Sequence, residues 1–429
     1  MSSHVDRRAY KNWQWRVFVI AWLSYASFYL CRVNISVALP AIGADFGWDK
    51  SAIGFIGSTF LWLYALGQLV NGTLGQRADA RWFVGLGMLV SSVCCAAFGA
   101  ASWLWLMIVL WGLNGWVQSM GWGPIVKTIS AWFGNRRRGR ITTFFAPCFV
   151  LGHFTAWAVG GWIVDRWGWR YAFWLPAVVF AGMAVIWLLG IRSTPQAAGF
   201  DVLQENANGD HESLLSIVAS LLADSRVRWA ALTCVFASMI KDGLTLWAPF
   251  MLIDLAGGTT AEAALGASVM PLLGLAGSML AGWLVDRVFG TREAPVVIVL
   301  SLLIAAAMVG FVVTQESGSR WALIGLLGAC GMLAYGINAV LLTSLPLSFD
   351  RTGNVAAVAG FLDFAAYVGG GTSAVVVGQI LDGRGWNAVF VYWLAATLLA
   401  SGGGLILHRK SQGHLARSAE RNATSEGGG

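Results

Sequence analysis

Charge is scarce in this chain: 28 Lys and Arg with 21 Asp and Glu amount to 11% of 429 residues, against 57% hydrophobic residues. That balance excludes an ordinary water-soluble domain. The six cysteines, Cys31, Cys94, Cys95, Cys148, Cys234 and Cys330, all fall inside apolar runs and at no metal-ligand spacing. They read as small packing residues, with no metal site, cofactor or disulfide framework expected. Nothing resembles a P-loop, and the glycine triplet at 369–371 reads as close helix packing and a hinge. No convincing cleavage site follows the first apolar run, which is too long and too closely followed by others for a removed signal peptide. No transit peptide is visible, and the short basic start fits a bacterial inner membrane.

What the chain has in abundance is apolar length. Runs of about 20 residues, enough to cross a bilayer as a helix, recur at 15–43, 51–72, 82–100, 103–127, 141–163, 171–191, 229–255, 262–285, 294–314, 320–345, 353–381 and 386–407. The expected fold is an all-α membrane protein of twelve transmembrane helices. Twenty of the 28 basic residues fall on one set of connecting segments, including Arg7, Arg8, Arg136, Arg137, Arg138, Arg140, Arg351 and Arg409, and five on the other. Basic residues are retained on the cytoplasmic side, so both termini are expected there. This asymmetry accounts for the net charge of +7 without a nucleic-acid partner. Trp residues near span ends read as interfacial anchors, with Trp116, Trp122 and Trp247 as candidates to line a cavity. The hydrophilic tail 408–429 reads as disordered.

Three basic residues, Arg32, Lys127 and Lys241, remain at or near membrane depth. A charge at the bilayer centre costs roughly 2.5–3.5 kcal/mol on insertion scales, so it is tolerated where it faces a cavity, a partner or a ligand. Lys127, near a span end, reads as a snorkelling anchor. Arg32 and Lys241 are separated by 241 − 32 = 209 residues. The chain repeats at almost that interval: GTLGQRADAR from Gly72 returns as GWLVDRVFGTR from Gly282, and GWIVDRWGWRYAFWLPA from Gly161 as GQILDGRGWNAVFVYWLA from Gly378, offsets of 210 and 217. Two six-helix halves in parallel are the architecture of the major facilitator fold, with the site at the repeat interface. The halves are expected at 1–191 and 227–407, joined by a cytoplasmic linker at 192–226 and followed by the tail. The two cations then face one another across a central cavity.

Further segments carry a narrower resemblance. YLCRVNISVALPAI in the first span, NGWVQSMGWGPIVKTISAWF at the fourth, IRSTPQAAGF after the sixth, KDGLTLWAPF in the seventh and GINAVLLTSLPLSFDRTGNVAAVAGFLDFAAYVGGG through the tenth and eleventh resemble the organophosphate:phosphate antiporter family nearly end to end. The resemblance implies electroneutral exchange of a phosphate ester for inorganic phosphate by a monomeric carrier, with no enzymatic reaction. It implies that Arg32 and Lys241 hold the phosphoryl group, that Tyr25, Tyr29, Gln118, Trp122 and Tyr367 line the site, and that Arg77, Arg81, Asp286 and Arg287 form a gate motif. Arg forks two donors onto a phosphate while Lys acts as a compact point charge.

The chain departs from that pattern where a second base gives way to Val33, a fifth-span histidine to Phe149 and a loop acid to Gln76. His153, one helical turn after Phe149, reads either as a displaced polar contact or as a histidine bonded to a neighbouring helix. Asp242 and Asp363 read as ion-pair partners of Lys241, with a proton carrier or a packing residue as alternatives for Asp363. Two other functions fit the same features: a proton-coupled organic-anion symporter, since RVNISVA also resembles the anion:cation symporter family, and a phosphate-ester sensor without significant flux.

Overall fold

A computed structural model of the protein describes residues 7–134, 141, 144–145, 147–200, 214–349 and 355–426. Every regular element among them is helical, as apolar runs require when the backbone must satisfy its own polar groups. Eleven helices are long and apolar enough to cross a membrane: Arg7–Phe46, Lys50–Arg77, Ala80–Ala100, Pro147–Trp167, Tyr171–Gly190, Ser225–Ala256, Thr260–Val288, Glu293–Ser317, Arg320–Leu347, Val355–Gly383 and Gly385–Gln412. The expected fourth span is instead two helices, Leu104–Gln118 and Trp122–Phe133. Together they form the remaining crossing, so spans are counted one to twelve along the chain with this pair as the fourth.

One expectation is corrected. The twelfth helix runs on to Glu426, so the described tail is helical rather than disordered; once a span has nucleated the helix, each further residue adds a bond at little cost. The segment read as a linker holds a helix, Leu214–Ala223, before the seventh span opens at Ser225. The rest of the polar stretch, 201–213, lies outside the described residues, as do Arg136, Arg137, Arg138, Arg140 and Arg351. Trp15, Trp82, Trp103, Trp105, Trp162 and Trp321 are exposed near span ends, where an amphipathic ring suits a membrane–water boundary.

Twelve crossings leave both chain ends on one side of the bundle. On the opposite, far side the halves are joined by a reciprocal pair of contacts. The Asp165 carboxylate, ending the fifth span, accepts from the backbone N–H groups of Thr260 (3.0 Å) and Ala261 (2.7 Å), which open the eighth. The Asp382 carboxylate, ending the eleventh span, accepts from Lys50 N (2.8 Å) and Ser51 N (2.9 Å), which open the second. The two acids are 382 − 165 = 217 residues apart, the repeat offset. Each fills free N–H groups at a helix start and meets the positive end of its dipole. Lys50 also pairs with Asp254 at 3.7 Å, and Trp386 Nε1 donates to the same carboxylate at 2.7 Å.

Candidate substrate site

Arg32 sits where the first span is broken. Helix Arg7–Phe28 passes through a 3₁₀ turn, Tyr29–Cys31, before helix Asn34–Phe46 resumes. The turn frees carbonyls that a continuous helix would occupy, and the fourth and fifth spans supply donors for them. Cys31 O accepts from Asn114 Nδ2 (2.8 Å) and Gln118 Nε2 (2.9 Å), and Val33 O from Trp157 Nε1 (3.2 Å). Broken backbone at membrane depth is tolerated where protein satisfies it in this way.

The same Gln118 holds the arginine. Its Oε1 accepts from Arg32 Nε at 2.9 Å while its amide is tied to Cys31 O and Ser91 Oγ. Gln118 is fully buried and its donors are committed. The guanidinium lies 5.2 Å from the ring centre of Tyr29 and 4.9 Å from that of Tyr64, cation–π distances. Arg32 Nη2 is buried and has no hydrogen-bond partner among the described residues, in a group that cannot give up its charge.

Aromatic rings build the wall around it. Tyr25 stands 5.0 Å from Trp122 and 5.2 Å from Phe149, and Trp122 5.3 Å from Phe149. Tyr367 reaches in from the eleventh span to pack 4.5 Å from Tyr64. One turn beyond Tyr64, Gln68 Nε2 donates to Asp363 Oδ2 at 3.0 Å and bridges the halves at mid-depth. His153 stacks on Tyr29 at 5.7 Å, lies within electrostatic reach of both Lys241 and Arg32, and has a buried Nε2 with no partner. It is not bonded to a neighbouring helix through that atom. Tyr64 and Gln68 were missed from sequence; a Tyr and a Gln four residues apart inside an apolar span were the signal.

Lys241 lies on an unbroken helix, Ser225–Ala256. Its Nζ pairs with Asp242 Oδ1 at 3.1 Å and stands 5.9 Å from the Tyr335 ring. Among the described residues it forms no ion pair with Asp363, whose carboxylate is taken by Gln68. Asp242 lies against the eleventh span at Gly370, where an added Cβ would come 2.6 Å from that of Asp242. The glycine triplet thus lets the seventh and eleventh spans approach closely, and Asp242 Oδ2 remains without a partner.

Among the described residues, the gate-motif residues form no bond across the halves. Arg77, Asp286 and Arg287 are exposed, the last two on a π turn, Leu284–Val288, and none bonds to another described residue. Arg81 Nε donates to Leu188 O, tying the third span to the sixth within one half. Lys127 Nζ donates to Gln76 O, capping the end of the second span.

Comparison with known proteins bears on the family and the fold. The family model described as Major Facilitator Superfamily matches residues 21–374. The chain belongs to that superfamily. Among the relatives of this facilitator, the "Probable hexose phosphate transport protein" of Chlamydia trachomatis is 26% identical over 92% of the chain and 91% of its own length. The "Glycerol-3-phosphate transporter" of Bacillus subtilis is 25% identical over 93% and 95%, and the "Membrane sensor protein UhpC" of Escherichia coli 25% over 90% of each. Among solved structures, a bacterial homologue of the human lysosomal transporter Spinster, inward-facing and unoccupied, superposes with a TM-score of 0.77 at 15% identity, covering 93% of this chain and 97% of its own. That likeness is one of fold.

Proposed function

We propose that this facilitator exchanges an organophosphate for inorganic phosphate by alternating access, as a monomer in a cell membrane with both chain ends cytoplasmic. The observation that carries this reading is the unpartnered Nη2 of Arg32, held in place by Gln118 and sharing a field with Lys241 and His153. Two cations, an imidazole and tyrosines suit a phosphoryl group, and the relatives' names point the same way. Gln118 acts as a positioning residue, while Arg32, Lys241 and His153 touch the anion, with Tyr25, Tyr29, Trp122 and Tyr367 around it.

The site also suggests how occupancy drives movement. Without an anion, Arg32 and Lys241 repel across the cavity and oppose closure on the chain-end side. A bound phosphate relieves that repulsion and draws Lys241 from Asp242, a contact that differs between states, as any ligand-driven shift requires. The empty form then seldom reorients, and exchange follows.

Labelled phosphate uptake into proteoliposomes preloaded with unlabelled phosphate tests the reading. The native protein is expected to exchange and Lys241→Ala to lose at least tenfold. Absence of exchange by the folded native protein would sink it. Binding of phosphate esters without flux would instead favour a sensor, the role named for the Escherichia coli relative.

The reciprocal caps give a second expectation. A carboxylate at a helix start is worth roughly 0.3–1 kcal/mol when exposed. Removing both, as in Asp165→Ala with Asp382→Ala, should shift the balance toward an open far side by about tenfold. A cysteine at Ala374, buried on the eleventh span beside Gly54, should then label faster with an impermeant maleimide than in the singly substituted A374C protein. Unchanged labelling would mean that the caps do not hold the far side shut.

A further inference from the structure

The far side of the bundle repeats an acid, an indole and a cation, but the cation comes from a different place in each half. Asp45 lies at the end of the first span and Asp254 at the end of the seventh, 254 − 45 = 209 residues apart. Each acid accepts from a buried Trp at the start of the last span of its own half. Trp169 Nε1 donates to Asp45 Oδ2 at 3.1 Å and Trp386 Nε1 to Asp254 Oδ2 at 2.7 Å. The two indoles are 386 − 169 = 217 residues apart. A buried indole N–H needs an acceptor, so each acid is fixed by its own half.

The symmetry ends at the next residue. In the first half Asp45 pairs with Arg170 at 3.9 Å, and that arginine is kept within the half, its Nη1 donating to Gly99 O and Ala101 O at 3.0 Å each. The position equivalent to Arg170, at the same offset of 217, holds Asn387. Its Oδ1 accepts from Gln315 Nε2, and among the described residues Asp254 has no cation from its own half. Lys50 of the first half takes that place: its Nζ lies 3.7 Å from Asp254 Oδ2 and 5.5 Å from the ring centre of Phe250, one turn earlier on the seventh span. The position equivalent to Lys50, at the offset of 210 between the second and eighth spans, is Thr260, so no cation returns the contact. Of the basic residues expected on the far side, Lys50, Arg166, Arg170, Arg320 and Arg384, Lys50 alone forms an ion pair across the halves among the described residues.

We propose that the Lys50–Asp254 pair is a far-side gate, broken each time that side opens, and that the gate is single because Asn387 leaves Asp254 free to bridge whereas Arg170 keeps Asp45 within its half. On opening, Lys50 leaves with the second span while Trp386 retains Asp254, so the ion pair itself parts and neither half is disrupted. The two side chains are 32% and 42% exposed, and an exposed pair contributes little. The gate therefore tilts the balance by a few-fold without locking it, as a carrier that must reopen every cycle requires. Such a gate serves any cargo carried by alternating access.

The test is the rate at which Ala374→Cys, reconstituted in liposomes, is labelled by an impermeant maleimide from the far side, with no phosphate or ester present. Lys50→Gln and Asp254→Asn should each label about threefold faster. The two together should be no faster than either alone, because both remove one interaction. Asn387→Arg deletes nothing from the gate but gives Asp254 a cation in its own half, and it should also label faster. Asp45→Asn, the equivalent change in the half that has its own cation, should leave the rate unchanged. Asparagine keeps an acceptor for the indole at both acids, and the neutral variants decide the matter if Asn387→Arg does not fold. Unchanged labelling in Lys50→Gln and Asp254→Asn, additive effects of the two, or equal effects of Asp45→Asn and Asp254→Asn would overturn the inference. Loss of phosphate exchange leaves this readout intact. Ala374→Cys that stays unlabelled in every variant would remove alternating access, and the gate with it.

Discussion

Arg32→Lys is expected to lower phosphate exchange at least a hundredfold, nearly as far as Arg32→Ala, although it keeps the charge. Arg32 does two things at once: its Nε is bonded to Gln118 Oε1, and Nη2 is left for the ligand. The flat guanidinium also lies over the rings of Tyr29 and Tyr64. An ammonium on a flexible stem can neither fork in this way nor stack. A lysine that reached Gln118 would leave the anion, and one that reached the anion would leave a fully buried amide oxygen unsatisfied. A hydrogen bond to a charged group is worth about 1.5–3 kcal/mol, so losing one such contact and weakening another covers a hundredfold. Gln118→Leu, which frees the arginine without removing it, should cost about tenfold. Initial exchange rates at matched reconstitution decide the matter, and an Arg32→Lys variant within a few-fold of native would show that charge alone suffices.

Gly369→Val should abolish stable insertion of the eleventh span rather than tune transport. A Cβ at Gly369 would run into the carbonyl oxygen of Val235 on the seventh span. The oxygen belongs to the backbone and the Cβ is fixed by its own, so no rotation can relieve the contact and the spans must separate. Overpacking of side chains typically costs 1–3 kcal/mol; a backbone collision beside the Lys241–Asp242 pair should exceed that range. Gly360, on the same helix, has open space around it, and Gly360→Ala should be neutral. Thermal unfolding in detergent and the yield of monodisperse protein measure both. Equal stability of Gly369→Val and Gly360→Ala would contradict the close approach.

Much of this architecture was legible in the chain because a bilayer narrows the choices. Long apolar runs can only be helices there, and a cation inside one must face inward. The 209-residue spacing therefore points to one cavity. What the chain hides is where helices break. Nothing in YLCRVN is a helix breaker, and the turn at Tyr29–Cys31 is supported because Asn114 and Gln118 on the fourth span donate to the freed carbonyl of Cys31. The division of the fourth span, by contrast, is marked by Gly121, Gly123 and Pro124, the last in the first turn of the second helix, where a missing N–H is tolerated. Tyr64 and Gln68 escaped notice because single polar residues in apolar helices resemble packing until the neighbouring span is placed beside them. Asp363 was read as a partner of Lys241, a proton carrier or a packing residue, and the contact the chain did not announce is the one its Oδ2 accepts from Gln68 on the other half.

The exchange of caps on the far side has the form of an isologous interface. Asp165 holds the start of the eighth span as Asp382 holds the start of the second, the reciprocity of two identical subunits about a two-fold axis. Two copies of one half, not joined, would meet in this way. Such a homodimer would have to present the same residue on each side of its cavity, two arginines or two lysines. Covalent fusion lifts that constraint: the joined chain keeps the reciprocal clasp and spends its broken symmetry on Arg32 against Lys241 and on Arg170 against Asn387.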